Sequence, residues 1–169
     1  IKEAVPMKTI AVQTMTEKNF ARYGRFASLT APEGVAIGDA PIRFYRDMLP
    51  LGSGQNLFAS VTTVEPMPLI VDVMEYHTAT WEGFLCLDTD AYIAVAPATP
   101  DGTLSPDDIE AFFLPKGTMV YLHAGVWHYA PFPAGDTTLH SLVILPERTY
   151  ANQCEKLALA PEDQVELSR

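Results

Sequence analysis

The chain alternates between short apolar runs and turn-forming residues. Runs rich in valine, isoleucine and aromatic residues are bounded by clusters of proline, glycine, aspartate or threonine, and this pattern predicts strands. The predicted strands are Lys8–Gln13, Ile42–Met48, Asn56–Val64, Leu69–Met74, Gly83–Asp88, Ala91–Ala96, Ala111–Leu114, Met119–Leu122, Val126–Tyr129 and Thr137–Leu145. About ten short strands joined by tight turns predict a mainly β fold, either a small closed barrel or a jelly roll.

Helical signals are few and short. Thr14 or Thr16 can cap a short helix that ends near Gly24. Ser105–Asp108 can open one helical turn, and Tyr150–Leu159 is weakly helical. One or two short helices are therefore expected beside the strands.

The length of 169 residues fits one domain with a substantial core. We expect this domain to span residues 7–150. Residues 1–6 precede Met7 and are expected to be an N-terminal extension or a cloning remnant. Residues 151–169 are expected to form an acidic C-terminal tail that frays or packs against a partner subunit.

Composition and charge exclude several classes of partner. The formal net charge is −10 with only 11 lysines and arginines, which argues against a nucleic-acid partner because phosphate contacts require cationic side chains. No apolar run approaches the roughly 20 residues of a membrane span, and a cytoplasmic location is expected. The two cysteines, Cys86 and Cys154, are far apart and are expected to be reduced, with Cys86 in the core. An acidic surface still permits a local basic pocket for a small anionic substrate.

Three of the four histidines fall in two short segments, Met74–Phe84 and Pro115–Pro131. Glu75 and His77 are two residues apart, so on a strand both side chains leave the same face. Glu82 needs a turn or bulge at residues 78–80 to join them. The second segment predicts a hairpin whose return strand presents His128.

Two histidines and two carboxylates in one interior suit either a divalent metal or an acid/base pair. Other polar and aromatic residues have competing interpretations. Arg43 and Arg46 could clamp a carboxylate or only aid solubility, and Tyr121 could face the pocket or the core. His123 could contact substrate or only shape the rim, and Glu82 could equally be a solvated turn residue. His140 is more simply explained as a hydrogen-bonded core histidine, and Trp127 as packing.

The two segments carry a recognisable pattern. The order Glu-x-His-x4-Glu, then Pro-x-Gly, then Gly-x-x-His resembles the two motifs of the cupin superfamily, with Glu75 in the place of that family's usual first histidine. The resemblance implies a cupin-like β-barrel, that is, a jelly roll or double-stranded β-helix. It also implies a divalent metal, such as zinc, manganese, nickel or iron, on Glu75, His77, Glu82 and His128, and no nucleotide cofactor.

A narrower resemblance, from about Thr9 to Val143, is to the ureidoglycolate lyase family. It is carried by Glu-x-His before a small-residue turn and a phenylalanine, by Tyr-x-His-x-x-Val-Trp-His at residues 121–128, and by Phe-x-x-Tyr-Gly at residues 20–24. That family splits ureidoglycolate into glyoxylate and urea in allantoin and purine breakdown. The resemblance implies a homodimer. The implied reaction would use Glu75 or His77 as base, His128 as acid and an arginine as the anchor for the substrate's carboxylate. Arg43, Arg46, Tyr121 and His123 are the candidate substrate contacts.

Two other functions stay open at the level of sequence. The same barrel could be a metal-dependent isomerase or dioxygenase that acts on a sugar or a small hydroxy acid, because a fold does not determine a function. It could also be a non-catalytic barrel that binds a small molecule. Oxygen consumption would favour the dioxygenase, and ligand retention without turnover would favour the binding protein.

Overall fold

A computed structural model describes residues 6–169 of the chain. The N-terminal extension expected at residues 1–6 lies, except for Pro6, outside the described residues. Two α-helices are short, α1 (Glu17–Phe20) and α2 (Thr149–Asn152), and two 3-10 turns span Pro106–Asp108 and Pro161–Asp163. The strands are β1 Lys8–Thr14, β2 Gly24–Ser28, β3 Ala36–Ile37, β4 Phe44–Tyr45, β5 Leu57–Val64, β6 Ile70–Val71, β7 Val73–His77, β8 Glu82–Cys86, β9 Ala91–Ala96, β10 Glu110–Leu114, β11 Thr118–Leu122, β12 Trp127–His128, β13 Phe132–Pro133, β14 Leu139–Pro146, β15 Cys154–Ala158 and β16 Val165–Ser168.

The strands form two curled sheets that face each other. One sheet has nine strands in the order β15-β7-β12-β9-β10-β1-β16-β6, with β13 paired to β9. The other has five strands in the order β2-β11-β8-β14-β5, and β3 and β4 form a separate small hairpin. The mainly β, cupin-like fold with two short helices that the sequence predicts is confirmed.

Strand β9 shows how the apolar pattern builds two cores. All six of its residues are buried, as a continuous apolar run requires when both faces of a sheet are covered. Ala91, Ile93 and Val95 pack into the core between the two sheets. Tyr92, Ala94 and Ala96 pack into a second core on the opposite face. The period of two along the strand therefore assigns alternate residues to two different cores.

Local signals set several boundaries as predicted. Thr16 caps α1, accepting from the backbone of Asn19 and donating its own backbone N–H to the Asn19 side chain. Gly117 and Gly125, in the two predicted turns of the second motif, have φ values of 79° and 81°, which favour glycine. The Gly125 N–H also donates to the His77 carbonyl at 2.8 Å. This backbone contact fastens the two motif segments together.

Three predictions from the sequence differ from the structure in detail. The strand expected at Ile42–Met48 is reduced to β4, which pairs only with β3 in an exposed hairpin. The weak helix expected at Tyr150–Leu159 is only the four-residue α2, followed by β15 along the edge of β7. The acidic end does not fray, because β16 pairs with both β1 and β6. Tertiary pairing overrides weak helical propensity in this segment.

Within the part of the chain that the structure describes, none of the helices has the length and apolar character needed to cross a membrane.

Candidate active site

Strand β7 carries the first half of the site. Glu75 and His77 both line one pocket, as their spacing of two residues predicts. His77 is 4% exposed. The turn at residues 78–81 then brings Glu82, the first residue of β8, back to the same interior. His77 Nε2 lies 2.6 Å from Glu82 Oε2, so the predicted turn does join Glu82 to the face that carries His77.

Strand β12 supplies the second imidazole. It lies between β7 and β9, and His128 stands opposite Glu75 in the strand register. His128 Nε2 lies 3.0 Å from the same Glu82 oxygen that His77 contacts. The other ring nitrogen, Nδ1, lies 2.9 Å from the Val126 carbonyl oxygen. Both nitrogens of His128 therefore face acceptors, which is the environment of an imidazolium.

The contacts among these three side chains shift the pKa values of Glu82 and His128. Burial alone would raise the pKa of Glu82, but the charges and hydrogen bonds of His128 and His77 outweigh burial and lower that pKa to about 2. Burial opposes protonation of His128, yet the carboxylate of Glu82 raises the pKa of His128 above its ordinary value. The buried centre is thus a carboxylate between two imidazoles, with proton-donating capacity on His128.

Glu75 is held from the neighbouring strand β15. Its Oε2 accepts from Lys156 Nζ at 3.0 Å and from Cys154 Sγ at 3.4 Å. The hydrogen bond with Glu75 raises the pKa of Lys156. Lys156 stands opposite Glu75 in the register between β15 and β7. Two side chains of the C-terminal segment therefore orient a carboxylate of the first motif.

These groups lie in a pocket of about 550 Å³ between the two sheets. Strands β5, β8 and β14 contribute both apolar and polar side chains to its lining. The pocket is lined by Phe58, Ser60, Thr62, Glu75, His77, Glu82, Phe84, His128, Tyr129, Ala130, Pro131, Ser141, Val143, Leu145, Pro146, Glu147, Arg148, Tyr150, Cys154 and Lys156. Its size fits a small polar molecule.

The donor atoms of Glu75, His77 and His128 all lie within 4.8 Å of one another and could hold a metal ion. Two imidazoles and a carboxylate suit first-row divalent metals. The His128 Nδ1 contact with a backbone carbonyl is the kind of second interaction that orients a metal-binding histidine and directs Nε2 to the ion. The residues present therefore fit a divalent metal.

Four predicted substrate contacts lie elsewhere. Arg43 is exposed and Arg46 pairs with Asp47 at 2.5 Å, because the segment around β4 forms the outlying hairpin. Tyr121 stacks on Trp81 with ring centroids 5.2 Å apart, and His123 is exposed at the turn after β11. None of the four lines the pocket that contains the histidines.

The remaining candidates have structural partners. His140 contacts Asp88 at 2.6 Å with its side chain 46% exposed, so it is hydrogen-bonded as predicted but lies at the surface rather than in the core. Trp127 is buried against Tyr76 at a centroid distance of 4.5 Å, which is the packing role expected for it.

Sequence reasoning missed the cations of the pocket. Among the described residues these are Lys156 and Arg148. Neither belongs to a motif, and only the pairing of β15 with β7 brings Lys156 to Glu75. The one available signal is that Cys154 and Lys156 are two residues apart and would share a face if the segment were recognised as a strand.

Known proteins with related sequences point to one family. The model of a family described as ureidoglycolate lyase matches residues 7–166. The ureidoglycolate lyase of Pseudomonas aeruginosa (strain LESB58) is 25% identical over 129 residues, which are 73% of this chain and 75% of that protein. The ureidoglycolate lyase of Stutzerimonas stutzeri (strain A1501) is 23% identical over 128 residues, which are 73% of this chain and 75% of that protein.

Solved structures of Bacillus subtilis oxalate decarboxylase are also similar. One, from work on its Mn(II) centers, has a TM-score of 0.44 and 23% identity over 62% of this chain. The deletion mutant DEL162-163 of the same enzyme has a TM-score of 0.43 and 21% identity over 62% of this chain. In both, the matched region is 24% of that chain, so this chain spans about a quarter of the decarboxylase.

The family model covers nearly the whole chain and includes both histidine segments together with β15 and the first half of β16. The two named relatives agree with it. The chain therefore belongs to the ureidoglycolate lyase family and is an enzyme of the lyase class.

Proposed function

We propose that this enzyme cleaves ureidoglycolate to glyoxylate and urea. The observation that carries the proposal is the convergence of His77 and His128 on one oxygen of Glu82, in a pocket of about 550 Å³ that also holds Glu75. Such a centre supplies both an acid and a base, which is what the reaction named by the family requires.

Ureidoglycolate has one carbon that bears a hydroxyl, a carboxylate and the ureido nitrogen. In the cleavage, a base removes the hydroxyl proton, the C–O bond becomes C=O, and the C–N electron pair leaves with nitrogen. The nitrogen takes a proton and departs as urea. The protein must therefore place an acid and a base on either side of one carbon and hold the substrate's carboxylate.

His128 is the acid in this proposal. Its two ring nitrogens face the Val126 carbonyl and the Glu82 carboxylate, an arrangement that favours the imidazolium. Glu82 keeps the ring oriented and balances its charge. From Nε2, His128 would deliver a proton to the leaving nitrogen.

Glu75 is the base in this proposal. His77 contacts Glu82 through Nε2, and its Nδ1 is buried with no hydrogen-bond partner among residues 6–169, so neither nitrogen suits proton removal from a substrate in the pocket. Lys156 and Cys154 both bind Oε2 of Glu75. We therefore assign the substrate's hydroxyl proton to Oε1.

A divalent metal such as zinc, manganese, nickel or iron would be held by Glu75, His77 and His128, with Glu82 beside them. When bound, it would supply Lewis-acid polarisation of the hydroxyl and carboxylate oxygens. Chelation therefore distinguishes a metal-assisted reaction from acid/base catalysis by side chains alone.

The test is release of glyoxylate from ureidoglycolate by the purified protein, above the spontaneous rate, with urea and ammonia measured in the same samples. One urea per glyoxylate is expected. Ammonia in place of urea, or no rate above background, would contradict the proposal. Activity that survives exhaustive chelation would assign the chemistry to the side chains, whereas loss restored by one added metal would assign it to the loaded site.

We also propose a homodimer, as the family resemblance implies. Strand β5 is an edge strand with no charged residue, and Phe58 and Val61 on it are 48% and 60% exposed. Ile37 and Phe44 on the β3–β4 hairpin are 57% and 63% exposed. Apolar edge strands of this kind are usually covered in native proteins. Light scattering coupled to size-exclusion chromatography should give twice the monomer mass, and Val61→Lys should lower it.

A further inference from the structure

Lys156 occupies a position that neither motif explains. It lies on the edge strand β15, directly opposite Glu75 in the register, and its Nζ is 3.0 Å from Glu75 Oε2. It also lines the pocket that contains His77 and His128. A cation is therefore fixed beside the proposed base.

The ammonium has donors to spare. A lysine offers three N–H groups, and one is used by Glu75. Nζ lies 5.6 Å from the centroid of the Tyr129 ring, which also lines the pocket. The Lys156 side chain remains 57% exposed. An incoming carboxylate can therefore bind the ammonium without breaking its bond to Glu75.

The other pocket cation is less well placed. Arg148 is 69% exposed, follows β14 in a left-handed backbone conformation, and has Nε 3.7 Å from a Glu147 oxygen. It has no hydrogen bond to Glu75, Glu82 or either site histidine among the described residues. Lys156 is thus the pocket cation in direct contact with the catalytic groups.

We propose that Lys156 binds the carboxylate of the substrate and makes the pocket selective for small 2-hydroxy and 2-oxo monocarboxylates. This proposal rests on the proposed function and extends it. A carboxylate on Nζ places the adjacent carbon next to Glu75 and within the same pocket as His128. The charge of Lys156, shared between Glu75 and the substrate, is the recognition element.

The test compares oxamate, which carries one carboxylate, with the neutral and nearly isosteric oxamide. Calorimetric titration of the full-length protein should show binding of oxamate and at least about tenfold weaker binding of oxamide, since an ion pair replaces a neutral contact. Lys156→Met should lose this discrimination, and Lys156→Arg should keep most of it. Lys116→Met, at an exposed lysine outside the pocket, is the matched control for lost charge.

Kinetics supply the second readout. Lys156→Met should raise KM for ureidoglycolate by about tenfold or more while lowering kcat less, because the lost contact is present in both ground and transition states. Arg148→Met should change oxamate binding by less than about threefold. If Lys156→Met failed to fold, Lys156→Gln and the wild-type preference for oxamate over oxamide would still test whether Lys156 binds the carboxylate.

Three results would overturn the proposal: equal binding of oxamate and oxamide by the wild type, oxamate binding unchanged in Lys156→Met, or loss of discrimination in Arg148→Met. A different result would contradict the proposed function while leaving the carboxylate site intact. Wild-type protein that binds oxamate through Lys156 but releases no glyoxylate from ureidoglycolate would keep the carboxylate site and reject the lyase substrate.

Discussion

Strands β7 and β15 lie side by side in one sheet and both contribute to the pocket, yet they differ in every other respect. β7 carries Glu75 and His77 within a motif, and its site residues are largely buried. β15 belongs to no motif, forms an edge, and is mostly exposed. β7 holds Glu75, the base that we propose, and β15 holds the two side chains that contact Glu75, Cys154 and Lys156.

The comparison shows that residues for proton transfer and residues for substrate binding need different degrees of burial. In the mechanism that we propose, proton transfer needs a desolvated, rigid centre, and the buried carboxylate between two imidazoles would provide it. Substrate capture needs a charge that solvent and ligand can both reach. An edge strand supplies such a charge and remains fastened to the catalytic strand through its ladder.

The largest effect is expected at the buried centre. His128→Asn removes the imidazole that contacts Glu82 and Val126. We expect kcat for ureidoglycolate cleavage to fall by about 10²–10⁴, the usual contribution of an acid/base group. Steady-state glyoxylate release measures this change.

His140→Gln is the matched control, because His140 contacts only Asp88 among the described carboxylates and lies outside the pocket. It should retain wild-type kcat. A drop in kcat of less than about threefold in His128→Asn would reject the assignment of the acid and shift the chemistry away from β12.

The next effect concerns the fold of the C-terminal segment. Leu167 on β16 is 3% exposed and packs in the second core with Val71 and Val165. Leu167→Ala should lower the free energy of unfolding by about 2–5 kcal/mol. Leu157→Ala on β15, where the side chain is 39% exposed, should cost less than about 1 kcal/mol. Urea denaturation of both variants measures this difference. Equal small losses in the free energy of unfolding would mean that β16 contributes no core packing.

The same segment marks the limit of what sequence reveals. Glu75, His77 and Glu82 could be grouped from sequence because one strand and one short turn set their spacing. His128 was identified by its motif, and the pairing of β12 with β7 brings it to the other three. Lys156 and Leu167 were not identified, since both depend on pairing with strands that are distant in the chain. Arg43 and Arg46 show the converse error. Their guanidinium groups suit a carboxylate, but their segment pairs only with its own hairpin partner and lies outside the pocket.

Stability should depend on pH through the Glu82 and His128 pair. The pKa of Glu82 is lowered from 4.5 to about 2, so its stabilisation is present above the unfolded value and is lost as pH falls toward 2. The pKa of His128 is raised above 6.5, so its stabilisation is present below that value and is lost as pH rises through the folded pKa. Urea unfolding at a series of pH values should therefore show a plateau between these limits.

Glu82→Gln is the control for this pH dependence, because it removes the charge that shifts both groups. The variant should be less stable across the plateau and should lose most of the decline at its two ends. An unchanged profile would show that other groups govern the pH response.

The smallest expected effect is on the reactivity of Cys154, which contacts Glu75 between β15 and β7. Burial, followed by the neighbouring charge and hydrogen bond of Glu75, raises the pKa of Cys154 to about 11, so the thiol stays protonated and donates to Glu75 at neutral pH. Alkylation of Cys154 by iodoacetamide, followed by mass spectrometry of the Cys154 peptide, should be slow at pH 8 and accelerate with rising pH. In Glu75→Gln the rate at pH 8 should rise roughly threefold to tenfold, since each unit of pKa changes the thiolate fraction tenfold.

Cys86, which is fully buried and does not contact Glu75, should react at the same low rate in both proteins. If Cys154 also reacted equally in both, the carboxylate and the thiol would not interact, and β15 would touch the site through Lys156 alone.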